Sequence, residues 1–431
     1  MTTALGSYNP SMAPQRHATA PADAMGLRPG GVVEGRARIP GSKSEAQRAI
    51  VAASLAHGTT EIVGLPDGAD VLAALALVHA AGSRITGRPP GSDGGWSASA
   101  PVSAGESGTL ARFATAAFAL CGKRGAWQEI RVEGTLRGRR SPALFAALRE
   151  VGADIVCSSV EGSFPVRVRS AGAATNVRIV APTSSQEVSA LWIALAAREG
   201  PSTLAIDGPV PSRPYLELTR RSLAAFGAHV EGPTITGPLR APAGPIAIEP
   251  DASSAAVVLA AARLSGGRVH IDGLNPRSAQ PDACAAELLA RFDDGGGADL
   301  DLSGAPDLAP VLAAVAGAAA LRQNASSRLG GLGTLPGKES SRIEVLARGL
   351  EALGLSARAG RDVLEIGPGR GARTAEVRLD PAGDHRMAFA FALLGLVADG
   401  VWVLDPGCVG KSWPGFWDEL ARLGARVATS A

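Results

Sequence analysis

Residues 147–156 read ALREVGADIV: the end of an apolar-periodic helix, then Gly152, then the start of an alternating strand. Glycine is the residue expected just past a helix terminus, where the backbone turns left-handed. The same design recurs at 77–85 (LVHAAGSRI), 222–231 (SLAAFGAHVE), 291–300 (RFDDGGGADL), 349–359 (GLEALGLSARA) and 420–428 (LARLGARVA). Its glycines, Gly82, Gly152, Gly227, Gly297, Gly354 and Gly424, fall about 70 residues apart, too far for a solenoid of short repeats and too evenly for unrelated domains. Between them runs a second feature, a glycine turn followed by a β-branched strand, at 58–65 (GTTEIVGL), 127–134 (WQEIRVEG), 202–209 (STLAIDGP), 267–274 (GRVHIDGL) and 400–407 (GVWVLDPG). Each repeat therefore reads as two helices and several strands in the order βαβαββ.

Six such units divide naturally into two α/β domains of three. A strand-like segment at 31–41 (GVVEGRARIPG) precedes a helix start at 42–48, and the last repeat can pack beside it. That closure makes the first domain discontinuous, 29–42 plus 251–431, around a second domain at 43–250. Residues 1–28 are rich in Ala, Pro, Ser and Thr without periodicity and read as a disordered leader.

Composition narrows the function. The chain has 431 residues, with 46% hydrophobic and only 4% aromatic, so its core is built mainly of Ala, Leu and Val. Its 42 Lys and Arg nearly cancel its 40 Asp and Glu, which removes the global basic field that non-specific nucleic-acid binding needs. No apolar run reaches the length of a membrane span, and no basic segment leads into an apolar signal region, so a cytoplasmic protein without membrane partners is expected. Cys121, Cys157, Cys284 and Cys408 are widely spaced, and the six histidines form no HExxH pattern. A disulfide framework, a metal site and a bound cofactor are not expected.

Chemistry-bearing residues cluster at helix starts. Residues 40–48 (PGSKSEAQR) set Ser42, Lys43 and Ser44 at a helix N-terminus with Arg48 one turn on, an anion-binding geometry of amides, hydroxyls and cations. Residues 105–112 (GESGTLAR) repeat it with Gly108 and Arg112, and Ser184, Ser185 and Gln186 open another helix, as do Ser212, Arg213 and Tyr215. Asp307, then Lys338, Glu339 and Arg342, then Asp384, His385 and Arg386, then Lys411 stand at the heads of further apolar helices. Taken singly each is an ordinary cap with a dipole-paired charge. Repetition of helix N-termini gathers them into one cleft. Two nucleotide motifs fail: at 332–339 the lysine of a P-loop is followed by Glu339 instead of Ser or Thr, and GPGRGA at 367–372 leads into a strand where a dinucleotide fingerprint needs a helix.

The motifs PGSKS with Arg48, GTxxR, SSQ, SxPY, PD, KExxR, DHRMA and PxCxxK occur in this order over nearly the whole chain. Together they resemble the 5-enolpyruvylshikimate-3-phosphate synthase family. The resemblance implies two domains of three βαβαββ units closing over a ligand cleft. It also implies transfer of the enolpyruvyl group of phosphoenolpyruvate to the 5-hydroxyl of shikimate 3-phosphate, with release of phosphate, by a monomer acting on small molecules. Carried over by position, it assigns shikimate 3-phosphate to Lys43, Ser44, Arg48, Ser184, Ser185, Gln186, Ser212, Tyr215, Asp307 and Lys338. Phosphoenolpyruvate falls to Lys43, Gly108, Arg139, Gln186, Arg342, Arg386 and Lys411, and catalysis to Lys43, Asp307, Glu339 and His385. Addition of an alcohol across an enol ether needs one group to take a hydroxyl proton and another to protonate the methylene carbon. Two carboxylates among cations suit that division.

The chain departs from the family pattern at Glu106, Arg140, Thr334, Pro336 and Ser341. Glu106, where the family has Asn, is expected to pair with Arg140 or Arg139. These departures leave room for an alternative, a paralogous enolpyruvyl transferase with a different acceptor in specialised metabolism. The related transferase acting on UDP-N-acetylglucosamine has Lys followed by Asn at the first motif, where this chain has Lys43 then Ser44. A carbohydrate-phosphate binding protein would not need Asp307, Glu339 and His385.

Overall fold

The computed structural model describes residues 24–83, 91, 92, 96, 98, 100–172, 174–294, 296–369 and 376–430. The chain divides into two compact units, one formed by Gly41–Ile248 and the other by Glu249–Ala431 together with the segment that ends at Pro40. Each has its own apolar core, dominated by Ala, Leu and Val.

Among the described residues, four sheets of four strands share one topology. In the first unit, Val102–Ser103 runs parallel to Trp127–Arg131, which pairs antiparallel with Val166–Arg169, itself antiparallel to the edge strand Asp154–Cys157. The helix Gly108–Cys121 makes the crossover and Pro142–Glu150 leads into the hairpin, so the chain order is βαβαββ. The same plan repeats with Asn176–Val180, Gly200–Asp207, His229–Glu231 and Thr234–Gly237. In the second unit it repeats with Asp299–Asp301, Ser327–Gly330, Ser356–Ala359 and Leu364–Gly367. The remaining repeat of each unit holds shorter pairings, Ile62–Val63 with Ile246–Ala247, Gly58–Thr59 with Gly91–Ser92, and Gly35–Ala37 with Val269–Ile271.

The fourth sheet carries a correction to the N-terminus. Val377–Leu379, Val401–Leu404 and Arg426–Thr429 occupy three of its positions, and the place of the last hairpin strand is taken by Ala24–Arg28. The closing strand is therefore the end of the segment read as leader, and not residues 31–41, whose Gly35–Ala37 pairs elsewhere. Ala24 and Leu27 are fully buried, and three positions apart on a strand they point to opposite faces of the sheet, so apolar contacts hold the strand on both. The rest of the leader lies outside the described residues.

Five of the six repeat glycines have the left-handed φ expected after a helix: Gly82, Gly152, Gly227, Gly354 and Gly424. Gly297 differs. It precedes the first strand of a sheet, Asp299–Asp301, instead of a hairpin strand. What it needs is closeness, since a Cβ there would lie 1.6 Å from the Ser326 carbonyl oxygen. The strand expected at 84–85 lies outside the described residues.

The central helices are buried almost all round, as helices without a polar face must be. Gly108–Cys121 packs on Ser185–Ala196, and His385–Gly395 packs on Ala309–Gln323. Small residues permit the approach: a Cβ at Gly395 would sit 2.4 Å from the Leu27 carbonyl oxygen. Among the described residues no helix is long and apolar enough to cross a membrane.

The closing strand yields a prediction. A Cβ at Gly26 would stand 2.3 Å from the Val401 carbonyl oxygen, so Gly26→Ala should destabilise the second unit by about 1–3 kcal/mol, the usual scale for overpacking. Denaturant unfolding followed by the second unit's Trp402, Trp413 and Trp417, in a variant lacking the other tryptophans, checks it; an unchanged midpoint would place that strand elsewhere.

Candidate active site

In the first unit the cationic helix starts are locked to one another by buried polar bonds. Ser42 caps the helix Lys43–Leu55, accepting from the Glu45 amide. Lys43 Nζ lies 3.1 Å from Asp70 Oδ2. Gln47 donates both to Ser107 Oγ at 2.7 Å and to the Asp70 carbonyl at 3.1 Å, tying this helix to the cap of Gly108–Cys121. Arg48 is 1% exposed, and its Nε donates to Thr219 Oγ1 at 2.8 Å. Burial pulls its guanidinium down to about 10, against the upward pull of Tyr215 and Glu45. Arg48 thus remains a cation at neutral pH, set beside Tyr215 on the helix Pro214–Ala225. Just before that helix Ser212 holds a φ of 52°, a backbone state that non-glycine residues adopt at some cost and mainly at functional turns.

Arg112 joins the next three motifs. Its NH1 donates to Gln186 Oε1 at 3.1 Å and to the Gly108 carbonyl at 2.9 Å, and its NH2 donates to the Arg140 carbonyl at 2.9 Å. At Gly108 a Cβ would lie 2.9 Å from Arg112 NH1 and 3.2 Å from the Arg139 guanidinium carbon, so two cations converge on a bare helix start. Ser184 caps Ser185–Ala196. The unit therefore brings together Lys43, Ser44 and Arg48 in one group, linked through Thr219 to the helix of Tyr215. It brings Gly108, Arg139 and Gln186 together in another, linked through Arg112.

In the second unit the charges form one network around Arg342, whose side chain is 2% exposed. Its Nε lies 2.7 Å from Asp384 Oδ2, its NH1 2.8 Å from Asp307 Oδ1 and its NH2 2.8 Å from Glu339 Oε2. Burial alone would lower this guanidinium, but the three carboxylates raise it instead. Lys338 and Arg386 approach Asp307 at 3.5 and 3.2 Å, and Lys411 approaches Glu339 at 3.6 Å. Burial would raise the Asp307 carboxyl, yet Arg386, Lys338 and Arg342 hold it well below the ordinary carboxylate range. Asp384 caps the helix His385–Gly395 through the Arg386 amide. His385 is 2% exposed and its ring stands edge-on to Phe389, with Nδ1 3.8 Å from Asp384 Oδ1.

Residues 27–420 match the family of EPSP synthase (3-phosphoshikimate 1-carboxyvinyltransferase). The chain belongs to that family. The 3-phosphoshikimate 1-carboxyvinyltransferase of Rhizobium etli is 35% identical over 92% of this chain and 96% of its own length. That of Pseudomonas savastanoi pv. phaseolicola is 36% identical over 91% and 96%. In fold, an EPSP synthase of Acinetobacter baumannii superposes with a TM-score of 0.74 at 24% identity, covering 95% of this chain and 100% of that one.

Two family departures can be placed. Glu106 packs its carboxylate against Gly134, where a Cβ would be 1.7 Å from Oε1, while Arg140 NH2 donates to the Glu161 carbonyl at 3.4 Å. Sequence reasoning left Asp282 out altogether. It is fully buried, accepts from Ser253 Oγ, and stands 4.0 Å from Arg386 NH1. Its place in the helical turn Pro281–Cys284, ahead of Ala285–Ala290, is the one local signal it gave.

Burial lifts the Asp282 carboxyl to about 6, with Arg386 opposing and Asp307 assisting. The folded state therefore holds that proton more tightly than the unfolded chain, and the stability owed to this group falls as pH rises from 3.8 toward about 6. Asp282→Asn, which carries no charge at any pH, should gain in Tm relative to the parent as pH rises from 4 to 7. A difference in Tm that is flat across that range would show Asp282 to titrate as an ordinary carboxylate.

Proposed function

We propose that Asp307 and Glu339 divide the proton transfers by which this chain moves the enolpyruvyl group of phosphoenolpyruvate to the 5-hydroxyl of shikimate 3-phosphate. Family membership carries the reaction; the network around Arg342 supports the division of labour. A C–O bond forms between the acceptor oxygen and C2 of the enolpyruvyl group, the hydroxyl proton leaves, and the methylene carbon gains a proton. The C–O bond to phosphate then breaks and the new methyl group returns a proton, restoring the double bond. Asp307, ionised in the free protein, takes the hydroxyl proton, and Glu339 serves the methylene carbon.

The donor carries a phosphate and a carboxylate. Arg342, Arg386 and Lys411, with Arg139, Gly108, Gln186 and Lys43, are the groups assigned to it, since guanidinium pairs hold such anions with two parallel bonds. Ser44, Arg48, Ser184, Ser185, Gln186, Ser212 and Tyr215, with Lys43, Lys338 and Asp307, are assigned to the phosphorylated acceptor. His385, assigned to catalysis with Lys43, Asp307 and Glu339, stands at the same helix start with Nδ1 3.8 Å from Asp384 Oδ1. One chain carries both residue sets, so the monomer is the catalytic unit in this reading, and its setting is the cytoplasm. The relatives named above bear 3-phosphoshikimate in their names, and nothing in the structure favours a different acceptor.

Phosphate release from phosphoenolpyruvate, measured with and without shikimate 3-phosphate, tests the reading. Release should require both substrates. Asp307→Ala and Glu339→Ala should each slow turnover by about 100-fold or more, the scale for losing a general acid or base, with circular dichroism showing both variants folded at the assay temperature though less stable. Near-parental turnover in either variant removes that carboxylate from the chemistry.

A further inference from the structure

We infer that Glu187 is a positioning residue for the phosphorylated acceptor, acting through the Ser184–Gln186 turn; the inference rests on the assignment of that turn above. Glu187 is the third residue of the helix Ser185–Ala196 and is fully buried. A glutamate there ordinarily reaches back to one amide of the cap. Here Oε2 accepts three bonds, from the Thr183 amide at 2.7 Å, the Thr183 hydroxyl at 3.1 Å and the Ser184 amide at 3.3 Å. These fix the backbone of both residues that enter the helix. Just upstream Ala181 holds a φ of 47°, a strained state that persists only where its surroundings enforce it.

The fixed turn decides which atoms face a ligand. Ser184 Oγ accepts from the Gln186 amide at 3.2 Å, which leaves its hydroxyl proton to be donated outward. Gln186 Oε1 accepts from Arg112 at 3.1 Å, which orients its NH2 group as a donor. Both side chains are thereby set as donors, the polarity that a phosphorylated, polyhydroxylated acceptor requires. Stability alone does not account for Glu187. Its Oε1 is buried with no hydrogen-bond donor among the described residues, and a buried carboxylate oxygen left bare is destabilising. An apolar side chain at that position would avoid this penalty but would release the turn.

Steady-state kinetics on the full chain separate the roles. Glu187→Ala should raise KM for shikimate 3-phosphate by about tenfold, as expected for donors shifted from a ground-state contact, with kcat within about threefold of the parent. Glu187→Gln, whose amide oxygen still accepts, should restore the acceptor KM to within about threefold. Thr183→Val removes one of the three bonds without emptying the core and should raise the acceptor KM by about threefold, the scale of one modest hydrogen bond. An unchanged acceptor KM in Thr183→Val, or a Glu187→Gln as impaired as Glu187→Ala, overturns the inference. If the parent releases no phosphate with both substrates present, it is the assignment of the turn that fails.

Discussion

A guanidinium taken out of water must be neutralised where it lies, and Arg342 imposes that condition on the second unit. Its three carboxylate partners come from three separate places in the chain, Asp307, Glu339 and Asp384. Each must be delivered to within hydrogen-bond reach, or the buried charge costs several kcal/mol. The fold meets this by starting helices at the same spot. Arg342 opens one helix, Asp384 caps another and Asp307 lies in the turn before a third. Losing one partner would leave charge uncompensated, so the network is held together as a unit.

The helices can converge because they are made of small residues. A helix such as Ala309–Gln323, more than half Ala and Val, has few large side chains to hold its neighbours away, and Gly317 sits where a Cβ would be 2.7 Å from Leu350. Low aromatic content is thus a condition of the architecture. The first unit solves the same problem with hydrogen bonds: Gln47, Thr219 and Arg112 tie four helix starts together.

The repeat was readable because its punctuation is chemical. A left-handed backbone after a helix strongly favours glycine, so Gly152, Gly227, Gly354 and Gly424 mark the hairpin strands directly. Gly297 has the same letter for another reason, close approach to the Ser326 carbonyl, and sequence cannot distinguish the two uses. Ala24–Arg28 was hidden because AMGLR has no alternation: a strand buried on both sides carries none. In the site, charged residues at helix starts stood out, while Asp282 and Glu187 did not. Asp282 meets Ser253 and Arg386, far off in sequence, while Glu187 meets the neighbouring Thr183 and Ser184 and reads as an ordinary capping-box glutamate until its burial is known.

The carboxylates that neutralise the cations of the free chain are also the groups assigned to move protons, and this links binding to chemistry. Arg386 lies 3.2 Å from Asp307, with Lys338 and Arg342 close by. Together they keep Asp307 ionised but make it a poor base. An anion that draws one cation away weakens a charge–charge attraction of about 1–4 kcal/mol at 4 Å, depending on local screening. Losing that attraction lets the Asp307 pKa rise back toward the ordinary carboxylate range. In the proposed assignment phosphoenolpyruvate carries two anionic groups onto these cations, and drawing them away from Asp307 would free it to accept a hydroxyl proton. On that assignment the base would be switched on by the molecule its product attacks, and the same cations that bind the donor would restrain Asp307 until it arrives.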